Sequence, residues 1–334
     1  MKKISLVITT INKLNKNIKN FDNMTQKEKW NFYVIGDKKT PKTFKLKHGN
    51  FFSIKKQKKL KFKFERICPK NSYARKNLGY LISAKNGNDV IVETDDDNYP
   101  KKNFFKKVKL FYKTKKILNR SWINIYDFFL KKNYTIWPRG LPLDEINKNN
   151  IITSRSKVKR KFLLQQGVCD LNPDVDAIFR LIHKKINIKF KNSTVNLSNA
   201  LTTFNSQNTR WHISLLPLMY LPVTCTMRCT DIWRSLITLK ILKINNLDIL
   251  FYGTDIYQKR NVHNLNSDFK EEISLYLNSK KIYNVINRLK LKKGFKNFPI
   301  NMRMCYLKLI KTDIFKKDEM KYLDAWLLDC KNLY

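Results

Sequence analysis

A chain of 334 residues with 43% hydrophobic and 13% aromatic content is long and apolar enough to bury a full α/β core, which excludes intrinsic disorder. Its 68 basic and 26 acidic residues leave a formal charge of +42, so nucleic acid and anionic membrane surfaces come into range as partners. No run of 18 apolar residues offers a membrane span, and the six scattered cysteines lack the second Cys or His pair that a zinc centre needs.

The first predicted element is Ile4 to Thr10, a β-branched run suited to a buried parallel strand and a better reading of the N-terminus than a signal peptide. A polar, helical stretch reaching Trp30 leads to a second strand, Asn31–Ile35, ended by Gly36-Asp37. Ser72 is placed to cap a helix whose apolar positions Tyr73, Leu78, Leu81 and Ile82 follow a 3.6 period up to Asn86-Gly87. Asp89–Thr94 is a third strand running straight into Asp95-Asp96-Asp97, and helix-like sequence is expected from there to about Leu118. The middle, roughly 120–230, reads as irregular, with Trp137-Pro-Arg-Gly-Leu-Pro142 and Gly167–Asp176 as its most distinctive segments. From Ile232 the pattern is mostly helical, with clear stretches at Phe269–Leu277 and Ile282–Leu289. Alternating strands and helices in the first hundred residues imply an α/β fold with a doubly wound, mostly parallel sheet flanked by helices, followed by a helical C-terminal part.

Ligands of such sheets bind beyond the carboxyl ends of the strands, which is where Thr9, Thr10, Asp37 and Asp95–Asp97 fall. Three consecutive carboxylates repel one another unless a cation neutralises them, and hard oxygen donors suit Mg²⁺ or Mn²⁺ shared with substrate phosphates. Alternation at a strand end puts Asp95 and Asp97 on one face; a solvated acidic loop is the plainer alternative. Asp37 follows a strand and is placed to accept hydrogen bonds from a base or ribose, or to do no more than close a turn. Arg75, beside Lys76 at a helix start, has the geometry to grip a diphosphate. Asp231 serves either as a helix cap or as a general base for an acceptor hydroxyl. Asp174 and Asp176 are acceptor-side candidates or turn and cap residues, and His263 is a late metal or phosphate ligand or a surface histidine. The chain has no Walker loop, no G-x-G-x-x-G and no G-x-S-x-G, which argues against NTPase, dinucleotide and serine-hydrolase chemistry.

At Val34–Pro41, Pro69–Gly79, Glu93–Asn98, Gly167–Ala177, Phe204–Asn208 and Arg228–Arg234 the chain resembles the STELLO-like glycosyltransferases and, more distantly, the reversibly glycosylated polypeptides. The resemblance implies a GT-A fold, a nucleoside-diphosphate sugar donor, a glycan or lipid-linked acceptor and Mn²⁺ or Mg²⁺. The expected division is a nucleotide-sugar half over residues 1–120, an acceptor-side half of the same domain over 121–265 and a helical extension over 266–334. Asp95–Asp97 match the acidic metal motif; the expected metal ligands are Asp95, Asp97 and, apart from the resemblance, His263. Asp37 and Arg75 match nucleotide-side positions and, with Thr9, Thr10, Asp95 and Asp96 at the strand ends, are expected to bind the nucleotide sugar; Asp231 matches an acidic position in the acceptor half and is taken as catalytic. Unlike the plant members, this sequence carries no membrane-spanning anchor. The expectation is a cytoplasmic enzyme of surface polysaccharide synthesis, with at most peripheral contact to anionic membrane. Two rival readings are a nucleotide-sugar ring mutase and a basic nucleic-acid-binding protein in which the aspartates only cap a loop.

Overall fold

The computed structural model describes residues 2–106, 108–130, 135–148, 150–183, 187–261 and 264–333. Among them, eleven strands form one sheet: β1 (Ile4–Thr10), β2 (Asn31–Gly36), β3 (Asn50–Phe52), β4 (Val90–Thr94), β5 (Asn98–Pro100), β6 (Phe111–Lys116), β7 (Val158–Lys161), β8 (Leu164–Asp170), β9 (Thr194–Leu197), β10 (Asn208–His212) and β11 (Ile249–Gln258). The order across the sheet is β3-β2-β1-β4-β10-β8-β11-β9-β6-β7, with β5 paired to β11. β1, β2, β3 and β4 run parallel, β10 opposes β4 and β8, and β11 runs parallel to β8. This is the mixed, mostly parallel sheet expected of the sequence.

Ten α-helices accompany the sheet among the described residues: α1 (Lys16–Lys27), α2 (Ile54–Lys58), α3 (Lys63–Ile67), α4 (Lys76–Lys85), α5 (Ile125–Phe129), α6 (Ala177–Ile182), α7 (Met227–Ile244), α8 (Leu265–Asn287), α9 (Phe298–Ile310) and α10 (Glu319–Lys331). β1, β2 and β4 are apolar on both faces because both are covered. Val7, Tyr33, Ile35 and Ile91 enter the larger core cluster with residues of α4, α7, α9 and α10. Leu6, Ile8, Val34 and Val92 turn the other way, onto Ile18 and Phe21 of α1 and onto Phe104 and Phe105. The period-2 alternation of a strand divides the residues between the two layers.

Three expectations are corrected. The stretch after the acidic triplet is not a helix to Leu118: a turn carries Phe104 and Phe105 into the core beside α1, and Phe111–Lys116 pairs with β7 and β9. Lysine-rich sequence has good helix propensity, but the ladder available at the sheet margin overrides it. The middle region is more regular than its composition indicated, since it supplies β7, β8, β9 and β10. The helical tail is interrupted by β11, which is inserted between β8 and β9 in the sheet. Its Ile-Leu-Phe-Tyr run after Asn245-Asn246 fits a strand, and the two helical stretches expected beyond it form the single helix α8.

Candidate functional site

β1, β2 and β4 deliver their carboxyl ends to one place because they are parallel and in register, with Thr10 opposite Gly36 and Val7 opposite Glu93. There a cleft of about 690 Å³ is lined by Thr9, Thr10, Asp37, Arg75, Asp95, Asp96, Asp97 and Asp231, together with Tyr73, Arg139, Ser206, Arg228, Gln258 and Arg260. That volume lies within the range of small-ligand sites.

The acidic triplet turns sharply after β4. Asn98 closes the turn, donating its side-chain amide to Thr94 Oγ1 (2.9 Å) and Gln207 O (3.1 Å). Asp96 points towards the end of β1, accepting from Thr10 Oγ1 at 2.5 Å and Asn12 Nδ2 at 2.9 Å. Asp97 accepts from Gln258 Nε2 at 2.9 Å. Asp95 Oδ1 takes the Tyr73 hydroxyl at 3.1 Å and Lys76 Nζ at 3.3 Å, whereas its Oδ2 has no hydrogen-bond donor among the described residues. Burial pushes the Asp95 carboxyl up to about 7; Lys76 opposes this, and Asp97, Asp231 and Asp96 add to it. Burial also raises Asp97, against the Gln258 hydrogen bond. A buried carboxyl (Asp97) beside a part-exposed one (Asp95), both with raised proton affinity and one oxygen of the latter without a donor, fits a divalent cation that would replace the missing charge. No three His, Cys, Asp or Glu residues converge among the described residues, so the protein offers less than a full cage. Mg²⁺-type sites are completed by water and substrate phosphates.

The remaining candidates separate. Arg75 lines the cleft, but its guanidinium is directed inward, to Gln57 Oε1 (2.8 Å), Cys68 O (3.0 Å) and Glu65 (3.4 Å), so it braces the loop before α4. The cation that reaches the triplet is its neighbour Lys76, fully buried and also bonded to Thr94 O at 3.0 Å. Asp37 holds the same loop, accepting from the backbone N–H groups of Asn71 (2.9 Å) and Ser72 (3.0 Å), while still lining the cleft. Asp176 is withdrawn from acceptor binding: fully buried, it caps α6 through Phe179 N at 2.8 Å and accepts from Trp137 Nε1 at 2.6 Å. His263 lies outside the described residues.

Asp231 sits within α7, whose N-cap is Thr226, and is therefore not the helix cap. Both of its oxygens meet Arg139 Nη2 at 3.1 Å, and one also accepts from the N–H and hydroxyl of Ser206 at 3.1 Å. Burial would raise the carboxyl, but Arg139, Arg234 and the Ser206 bonds outweigh it and hold it below the usual carboxylate range. Asp174 forms a two-point pair with Arg139, at 2.8 Å for each contact. Gly140 permits this arrangement: its φ is +90°, and a Cβ there would fall 2.3 Å from Ile232 Cγ2 on α7. Sequence reasoning missed Arg139, Ser206, Arg228, Gln258 and Arg260 as site residues. The Pro-Arg-Gly and Asn-Ser-Gln-Asn segments pointed to two of them, but Gln258 could be found only by recognising β11.

The STELLO glycosyltransferase family model matches residues 228–334. Two Arabidopsis thaliana proteins named probable glycosyltransferase STELLO1 and STELLO2 are 30% and 27% identical over 227 residues, covering 62% of this chain. The chain spans 29% of the length of these curated relatives. Among solved structures, a mycobacterial protein aligns with 84% of this chain and 74% of its own at 8% identity and a TM-score of 0.45. Glucosyl-3-phosphoglycerate synthase of M. tuberculosis aligns with 83% and 80% at 11% identity and a TM-score of 0.42. Over these stretches the chain is similar to the STELLO glycosyltransferases.

Proposed function

We propose that this chain transfers a sugar from a nucleoside-diphosphate sugar to a hydroxyl of a glycan or lipid-linked acceptor, in a reaction that needs a divalent cation. The observation that carries the reading is the convergence of Asp95, Asp96 and Asp97 with the ends of β1 and β2 in one cleft. In this reading the nucleoside lies over Thr9, Thr10 and Asp37, and Asp95 and Asp97 hold Mn²⁺ or Mg²⁺ together with the diphosphate. When bound, such an ion would neutralise charge on the departing diphosphate. Lys76 contributes a fixed positive charge behind Asp95. Asp231 orients Arg139 and the Ser206 hydroxyl and does not itself take a proton, because a carboxylate held below its usual range is a poor base.

Asp97→Asn preserves the shape and can still accept from Gln258. Calorimetric titration of a nucleoside-diphosphate panel (UDP, GDP, ADP) with Mn²⁺ should show the parent binding at least one member. The variant is expected to bind it more weakly by about tenfold or more, with an unchanged cooperative melt. A parent whose nucleotide binding is indifferent to EDTA, or a variant that binds like the parent, would overturn the assignment.

A further inference from the structure

The cleft does not end at the acidic triplet. Beyond Asp95 it continues into an enclosed pocket of about 70 Å³ lined by Arg139, Arg180, Arg228 and Arg260 with Asp174, Asp231, Gln207 and Gln258. The two spaces share Asp95, Arg139, Arg228, Asp231, Gln258 and Arg260, whereas Thr9, Thr10 and Asp37 line only the outer one. Of the four arginines, Arg180 alone lines only the inner space.

The charges of the four arginines are not equally answered. Arg139 is neutralised inside the pocket by Asp174 and Asp231. Arg228 pairs with Glu272 at 2.6 Å and Arg260 with Asp268 at 2.5 Å, and both acids stand on α8, outside the pocket lining. Arg180 has no carboxylate partner among the described residues. It is 8% exposed, it reaches only Pro173 O at 2.9 Å and Asn172 Oδ1 at 3.4 Å, and its Nε is buried without a hydrogen-bond partner. Burial and then repulsion from Arg260 and Arg228 bring its pKa down to about 9, still high enough to keep it charged at neutral pH. A buried, unneutralised guanidinium is costly, and planar N–H donors of this kind match the oxygens of phosphate and carboxylate.

We infer that Arg180, Arg228 and Arg260 form a subsite for an anionic group of the substrate, a phosphate or carboxylate other than the donor's diphosphate. This deepens the proposed transfer reaction and rests on it only for the identity of the neighbouring ligand. The anion is carried either by the acceptor or by the transferred sugar.

Inorganic sulfate, which stays soluble with divalent cations, is the probe. Titrated into the full chain at fixed ionic strength, it is expected to bind with or without a saturating nucleoside diphosphate and Mn²⁺. Arg180→Gln is expected to weaken sulfate binding by about tenfold or more while leaving nucleotide binding within about twofold. Arg180→Lys, which keeps the charge but loses the planar fork of donors, provides a second variant if the first does not melt cooperatively. Donors separate the two sources. If the transferred sugar carries the anion, a nucleoside-diphosphate uronic acid blocks sulfate and binds more tightly than its neutral counterpart, and Arg180→Gln abolishes that gain. If the acceptor carries it, the two donors bind alike and sulfate binds in the presence of either. Sulfate displaced by the nucleoside diphosphate alone, or bound equally by parent and both variants, would overturn the inference. Because sulfate is also measured without nucleotide, that outcome is distinct from a failure of the Asp97 test.

Discussion

Asp176 carries a carboxyl that is fully enclosed by Trp137, Phe179 and their surroundings. Burial raises it from 3.8 to about 6, against the hydrogen bonds of Phe179 and Trp137, and Glu272 adds to the rise. A group that holds its proton more tightly when folded contributes stability fully below its unfolded pKa and loses it as pH rises through the folded value. The melting temperature of the parent relative to Asp176→Asn is therefore expected to fall between about pH 4 and pH 7 and then level off. Thermal melts across that window check this, and a flat difference would show an unshifted carboxyl. Asp174, two residues earlier, faces a pocket lined by arginines. Nothing in Asp-Val-Asp distinguishes the two. The difference arises because residue 176 turns inward to start α6 while residue 174 meets Arg139, 35 positions away in the chain.

At the scale of elements, α4 and β1 show how closely the layers approach behind the site. Gly79 of α4 lies against the sheet, where a Cβ would fall 2.4 Å from Val7 Cγ1 and 3.1 Å from Ile35 Cγ1. Gly79→Ala removes a helix-interior glycine, a gain of roughly 0.5–1 kcal/mol, but overpacking of this kind costs about 1–3 kcal/mol. The expected net effect is destabilisation of about 1 kcal/mol, read as a lower urea midpoint with an unchanged slope. A stabilised variant would mean that α4 can shift away from β1. The helix itself was legible as far as Asn86 from its apolar period, although α4 begins only at Lys76, after a 3₁₀ turn (Tyr73–Arg75) that Ser72 caps. Its spacing from the sheet was not, since that depends on which residue of β1 lies beneath the glycine. β11 was illegible for a related reason: ten residues between two helices, six of them apolar or aromatic, become a strand only because β8 and β9 offer them ladders on both sides.

Over the whole molecule, the charge of +42 acts as a distributed field. Many of the acidic residues are engaged internally: Glu93 with Arg234, Asp255 with Arg210, and Glu319 with the backbone of Val223 and Thr224. The lysines remain largely at the surface, where they repel one another. Raising NaCl from 0.1 to 1 M shortens the screening length from about 10 to about 3 Å. The melting temperature is therefore expected to rise by several degrees, and a flat or falling profile would mean that surface ion pairs dominate the balance. The C-terminal helices belong to the same body as the sheet. Asp329 of α10 accepts from the backbone of Lys63 (2.9 Å) and Phe64 (2.8 Å), and Trp326 packs edge-on against Phe64 at a ring distance of 6.2 Å. No described helix is long and apolar enough to cross a membrane.

Local pattern alone determined the parallel strands, the helix before the acidic turn and the carboxylates at the strand ends, because each depends on periodicity or on neighbours a few residues away. Only the tertiary structure decided that Lys76 and not Arg75 meets Asp95, that Gln258 reaches Asp97, and that four arginines from separate segments share a pocket. Those pairings join positions up to 161 residues apart. They exist because strand order brings the elements together, and strand order depends on which ladders and layers close the core, not on the order of the chain.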